Sequence, residues 1–198
     1  MFHLACTRFN TQTYKENREF RLKSGEKVLY GPAFKIRNTY SAGSRIFVVE
    51  MNNETNKIEG IGLIKNLLVS DKKYKIYENS DYNRYIYRGK YWLSRDQLNI
   101  SDPEMVEIFD TILFKGKSHL KRMSGITVLT EKLFTNWNYE LYDLKNRVKC
   151  VFMRYFQQGE EKAEEEKAEK EKAEKEKREE KEEKKEKEEI THTENTYF

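Results

Sequence analysis

The stretch RIFVVEMNNETNKIEGIGLIK, running from Arg45 to Lys65, decides the fold. Ile46, Phe47, Val48 and Val49 are β-branched or aromatic and follow Gly43-Ser44, whereas Asn52, Asn53, Glu54, Thr55 and Asn56 carry turn chemistry. Beyond the turn, Ile58, Ile61, Leu63 and Ile64 resume the apolar run. Gly60 and Gly62 mark positions where a second backbone or a ligand can come close. Apolar character that is nearly continuous, rather than alternating, predicts a hairpin buried on both faces. Such a hairpin is the centre of a sheet, and by itself it names no function.

Working outward, Phe2 to Phe9 reads as a first strand, with Phe2, Leu4 and Cys6 on one face. Thr13 and Glu16 have capping-box spacing for a short helix through Arg21, and Val28-Leu29-Tyr30 forms a short strand stopped by Gly31-Pro32. Past the hairpin, Tyr74 to Tyr77 alternates as a strand does. In Tyr82 to Trp92, a period of two puts Tyr85, Tyr87 and Tyr91 on one face and Arg84, Arg88 and Lys90 on the other, with Gly89 as a bulge or break. Ser101-Asp102-Pro103-Glu104 opens a helix with an apolar stripe of Met105, Ile108, Phe109, Ile112 and Leu113. Ile126 to Leu129 forms a last strand, and Thr130 caps a final helix carrying Leu133, Trp137, Leu141, Leu144, Val148 and Phe152.

The whole chain of 198 residues carries a formal charge of +4, which hides a division. Residues 1–158 hold 27 of the 38 Lys and Arg but 17 of the 34 Asp and Glu, a net of +10. Residues 159–198 hold the remaining eleven basic residues and seventeen Glu, a net of −6. Two parts are therefore expected: a basic globular domain over 1–158 and a Glu/Lys-rich, low-complexity tail over 159–198. In the tail EKAE recurs every five residues at Glu161, Glu166 and Glu171, a period that gives no coiled-coil seam. Pairs such as Glu166 with Lys170 favour a solvated charged helix there, with disorder as the alternative.

Cys6 and Cys150 have neither zinc-ligand nor disulfide-framework spacing, and no stretch reaches the length of a membrane span. The expectation from these features is a protein inside the cell, in cytoplasm or nucleus, with no membrane partner. The richness in Lys, Asn, Ile and Tyr is that of coding from an AT-rich genome, as in many large DNA viruses.

Chemistry is sparse. Gly116-Lys117-Ser118 lacks the upstream glycine of a phosphate loop, because Thr111 stands in its place. His3, His119 and His192 form no metal or triad pattern, and a buried strand thiol is a better reading of Cys6 than a nucleophile served by His119. Asp102, Glu104, Glu107 and Asp110 lie where a helix dipole favours carboxylates. No catalytic residue, metal site or cofactor is expected. What stands out is basic and aromatic. Lys115, Lys117, His119, Lys121 and Arg122 crowd a glycine-flanked segment, and its Lys115, Lys117, Lys121 and Arg122 with Arg84, Arg88 and Lys90 are the expected phosphate contacts. Trp92, Tyr85, Tyr87, Tyr91 and Trp137 could wall a base pocket or simply pack a core.

The hairpin RIFVVEMNN…KIEGIGLIK, with its Gly60-Ile61-Gly62 and the aromatic, basic strand ending in Tyr91-Trp92-Leu93, resembles the PUA-like superfamily of EVE, YTH and ASCH domains. The likeness covers roughly Phe34 to Ile100. It implies an α+β fold built on a small mixed or antiparallel β-barrel with flanking helices, and a pocket that binds RNA or modified bases without catalysis. By the same resemblance Trp92, beside Tyr91, would wall the pocket, and Asn52 or Asn53 would read polar edges. The tryptophan set of a methyl-adenosine cage is not found. The expected function is thus non-enzymatic nucleic-acid binding, RNA ahead of DNA. A scaffold or virion-associated interaction protein with an acidic protein partner is the alternative, and a nuclease has the least support.

Overall fold

The computed structural model describes residues 2–157. The chain divides into two units, Met1–Phe152 and Met153–Phe198, and the charged helix expected over 159–198 lies outside the described residues. The elements are β1 (Phe2–Phe9), α1 (Thr11–Ser24), β2 (Val28–Tyr30), β3 (Arg45–Asn52), β4 (Lys57–Lys65), β5 (Tyr87–Gly89), β6 (Tyr91–Ser94), α2 (Arg95–Ser101), α3 (Pro103–Phe114) and β7 (Thr127–Val128). A last helix, α4, runs over 141–157.

The expected hairpin is the sheet centre. β3 and β4 pair antiparallel from Arg45↔Lys65 to Asn52↔Lys57, with a bulge where Glu50↔Gly60 gives way to Met51↔Ile58. The turn is closed by Asn52, whose side-chain oxygen accepts from the amides of Glu54 and Thr55 at 3.1 and 3.4 Å, and Asn56 takes the left-handed conformation with φ 55°. β1 pairs parallel with β3 in register from Phe2↔Arg45 to Phe9↔Asn52. A parallel pair needs a crossover, and α1, β2 and the segment that follows supply it. The resulting five-stranded sheet has the order β6-β4-β3-β1-β7 and is mixed.

The fold is α+β, but the sheet is not closed into a barrel. β6 and β7 are its two edges, and β2 and β5 form a separate antiparallel pair laid against β4. That layer packs closely because of two glycines. A Cβ on Gly89 would stand 1.9 Å from the carbonyl oxygen of Leu63, and one on Gly62 would stand 2.3 Å from the Tyr30 hydroxyl. Ala5, Phe9, Ile46, Val48 and Ile64 of the sheet meet Val28, Leu29, Tyr30, Ile86 and Tyr87 here in one core. Alternation sends Phe47, Val49 and Ile61 to the opposite face, where α2 and α3 pack on β4 and Phe152 meets Phe47 edge to face at 4.9 Å.

Several local expectations are corrected. α1 starts at Thr11 because Asn10, not Thr13, is its cap: the Asn10 side chain accepts from the Thr13 amide at 2.8 Å while the Thr13 hydroxyl accepts from the Asn10 amide at 3.1 Å. Tyr74 to Tyr77 is not a strand, since the Asn83 carboxamide takes the place of a partner strand by accepting from the amides of Ile76 and Tyr77 and donating to the Tyr77 carbonyl. Tyr82 to Trp92 is a 3-10 turn (Ser80–Asn83) and two strands separated at Lys90. α2 follows β6 directly, and Ser94 and Gln97 form its capping box. Thr130 opens only a short 3-10 turn (Glu131–Leu133), and α4 begins at residue 141.

The close approach of the two layers makes Gly89→Ala destructive. A Cβ inside the Leu63 carbonyl forces backbone movement, and the expected loss is about 1–3 kcal/mol or more in a urea titration. An unchanged midpoint would contradict the packing described.

Candidate nucleic-acid interface

Glu50 is fully buried in the middle of β3. It points into the layer made by α1 and β2, where a lone carboxylate would be prohibitively costly without partners. Three donors converge on its Oε1: the Arg21 guanidinium at 3.0 Å, the Tyr30 hydroxyl at 2.8 Å and the Trp92 indole N–H at 3.0 Å. Its Oε2 has no hydrogen-bond partner among the described residues. Arg21 is itself 5% exposed, and beside it buried Asn17 donates to the Leu29 carbonyl and the Tyr77 hydroxyl at 2.7 and 2.9 Å. The glycines at 60 and 62 make this geometry available. A Cβ on Gly60 would stand 3.0 Å from the Trp92 ring, so the indole lies over Gly60, and Gly62 leaves room for the Tyr30 hydroxyl. Burial and the Glu50 charge push the Tyr30 phenol far above its ordinary range, and they push Tyr14 up to about 12.

This network occupies Trp92. Its N–H is taken by Glu50, and the guanidinium carbons of Arg18 and Arg21 lie 4.9 and 4.6 Å from its ring centroid. Tyr91 is 38% exposed and pairs with Leu63. Among the cations of the same stretch, Arg84 pairs with Asp81 at 2.8 Å, and Arg88 pairs with Glu26 and Asp71 at 3.2 and 3.5 Å. Lys90 is exposed and makes no ion pair among the described residues. Asn52 holds the hairpin turn and donates to Glu59 at 2.7 Å.

Asn53 connects the hairpin to the basic loop. Its side-chain amide donates to the Lys121 carbonyl at 2.8 Å, and Arg8 of β1 donates to the same carbonyl at 3.1 Å. The Leu120 amide bonds the Leu113 carbonyl, and Gly116 (φ +75°) lies against the Trp137 ring. The loop over 115–125 is thus fixed to the sheet, while Lys115, Lys117, Lys121 and Arg122 enter no ion pair among the described residues. No hydrogen bond or ion pair among the described residues joins this loop to Arg84–Trp92, so the expected phosphate contacts fall into two groups.

The loop is also a wall. On one side, with Phe34, Lys35, Arg37 and Tyr40, it bounds a cleft of about 580 Å³. On the other, Ser124 and Gly125 join Arg8, Asn53, Tyr30, Tyr77 and Tyr82 around a smaller cavity of about 170 Å³. Asn53 alone of the residues expected in a base pocket lines either space. Phe34, Lys35, Arg37, Arg8 and Lys132 carry little signal in sequence, being scattered residues of coil, a strand end and a short 3-10 turn. Glu50 carried a usable one, because a carboxylate inside an apolar strand requires a buried cation.

Other candidate chemistry is accounted for structurally. The Cys6 thiol is buried against the Met123 sulfur at 3.3 Å, and burial pushes it well above the ordinary thiol range, which is the opposite of an activated thiolate. Asp102 caps α3 and, with Glu104, pairs with Arg147, while Asp110 pairs with Arg95 at 2.6 Å and accepts the Ile58 amide at 2.8 Å. Searches against protein families, curated proteins and solved structures returned no match. No helix among the described residues is long and apolar enough to cross a membrane.

Two expectations follow from the buried network. Glu50→Gln leaves Arg21 as an uncompensated buried charge and is expected to cost about 3–5 kcal/mol in chemical denaturation; a change below about 1 kcal/mol would show that the pair is dispensable. The raised phenols of Tyr14, Tyr30 and Tyr77 mean that the folded state keeps its protons where the unfolded chain loses them. Their contribution is complete below about pH 10 and is lost as pH rises from there through the folded values. Denaturation midpoints followed with tyrosinate absorbance should therefore fall above pH 10, and a flat profile to pH 12 would contradict the burial.

Proposed function

We propose that this protein binds nucleic acid without catalysing a reaction on it, RNA ahead of DNA, with the loop over 115–125 as its principal phosphate-contacting element. The observation that carries the reading is the contrast among its cations. Arg84 and Arg88 have carboxylate partners, whereas Lys115, Lys117, Lys121 and Arg122 stand on a loop tied to the sheet through the Lys121 carbonyl and enter no ion pair among the described residues. Cations carried on an anchored loop and left without acids among the described residues are suited to backbone phosphates, where they release counterions. The net charge of +10 over 1–158 supports the same partner. The preference for RNA, and kinship with PUA-like domains, rest on the likeness of the hairpin and belong to this proposal.

Binding of the full-length protein to labelled RNA and DNA, measured across salt concentrations, tests it. Affinity is expected to fall linearly with salt on logarithmic axes, and Lys117→Ala, Lys121→Ala and Arg122→Ala combined should lower that slope by about 2 on single strands. Absent or salt-independent binding would refute the reading.

A further inference from the structure

We infer that the cleft beside β7 holds a single strand of nucleic acid, with a base stacked on Phe34 and its phosphates on Lys35, Arg37 and Lys132. This rests on the nucleic-acid reading above and adds both a site and a strandedness to it. The cleft, of about 580 Å³, is bounded by Phe34, Lys35, Arg37 and Tyr40 on one side and by residues 118–133 on the other. Among the described residues three cations line it and no carboxylate does, so it suits an anion. Spaces of about 300–1,000 Å³ enclose an occupant the size of a small organic molecule, which fits one or two nucleotides and excludes a duplex.

Phe34 adds the second element. It is 63% exposed and borders the cleft next to Lys35, so its ring face is open to an occupant. Exposed rings interleaved with cations are what an unpaired strand needs, because every base offers a face to stack and every linkage a charge. The floor of the cleft contributes hydrogen-bonding groups. The Leu129 amide donates to the Leu4 carbonyl, so by antiparallel alternation the amide and carbonyl of Val128 point away from β1, toward the open edge of the sheet. That edge could also receive an acidic peptide as an added strand, but β7 is two residues long and offers too little ladder for strand addition.

The test compares full-length protein bound to a labelled oligouridylate with the same strand paired to oligoadenylate, each at several salt concentrations. Single strand is expected to bind at least tenfold tighter than duplex. Phe34→Ala should weaken single-strand binding about 5- to 150-fold with the salt slope unchanged. Combined Lys35→Gln, Arg37→Gln and Lys132→Gln should lower the slope by about 2. All four side chains are exposed, so circular dichroism should show the fold intact. Equal affinity for both forms, or a neutral Phe34→Ala, overturns the inference. If binding then still falls with Lys117, Lys121 and Arg122 replaced, the general reading survives alone; if neither form binds at low salt, both fail. Polyglutamate bound as tightly as RNA, with no effect of Phe34→Ala, would mark a plain anion site and also overturn it.

Discussion

A carboxylate in the centre of the sheet organises this molecule. Glu50 draws Arg21 from α1, Tyr30 from β2 and Trp92 from β6 onto one oxygen atom of β3. Four elements are thereby fixed to one point, by groups that cannot easily shift because Glu50, Arg21 and Tyr30 are buried, Trp92 is half-buried and each needs its partner. A buried ion pair contributes little net stability against an apolar replacement, but separating it is costly, so it acts chiefly to specify an arrangement. Gly60 and Gly62 belong to the same device. One admits the Trp92 ring over the strand and the other the Tyr30 hydroxyl, and without both clearances two of the three donors would be displaced.

That arrangement determines what is left for binding. With Trp92 and Arg21 committed inward, and Arg84 and Arg88 paired with acids, the expected phosphate contacts left without an ion pair among the described residues are Lys90 and the four cations of the loop over 115–125. The turn of the hairpin reaches that loop directly through Asn53, which with Arg8 holds the Lys121 carbonyl. A rigid sheet therefore positions a basic loop, and the loop in turn bounds the cleft that Phe34, Lys35 and Arg37 close from the far side.

Much of the sheet was legible because its signals are local. The hairpin, β1 and β2 follow from runs of β-branched residues between turns, and α3 from its Asp102-Pro103 start and apolar stripe. The errors have physical causes. Tyr74 to Tyr77 alternates like a strand but is satisfied by one asparagine side chain, and the spacing of Leu133 and Trp137 mimics a helix that does not begin until residue 141. Barrel closure cannot be read from strand content, since it depends on whether the edges β6 and β7 find partners. The basic loop was legible as charge density. The cleft was not, because its two walls are about ninety residues apart in the chain and neither is periodic.

The most direct measurement is photo-crosslinking of the full-length protein to a uridine-containing single strand, with the adducts located by mass spectrometry of the peptides. Adducts on Phe34 or Tyr40, accompanied by adducts within 118–133, are the predicted result. Adducts confined to 84–92, or none at concentrations where the protein is saturated with RNA, would contradict the placement of the binding surface beside β7.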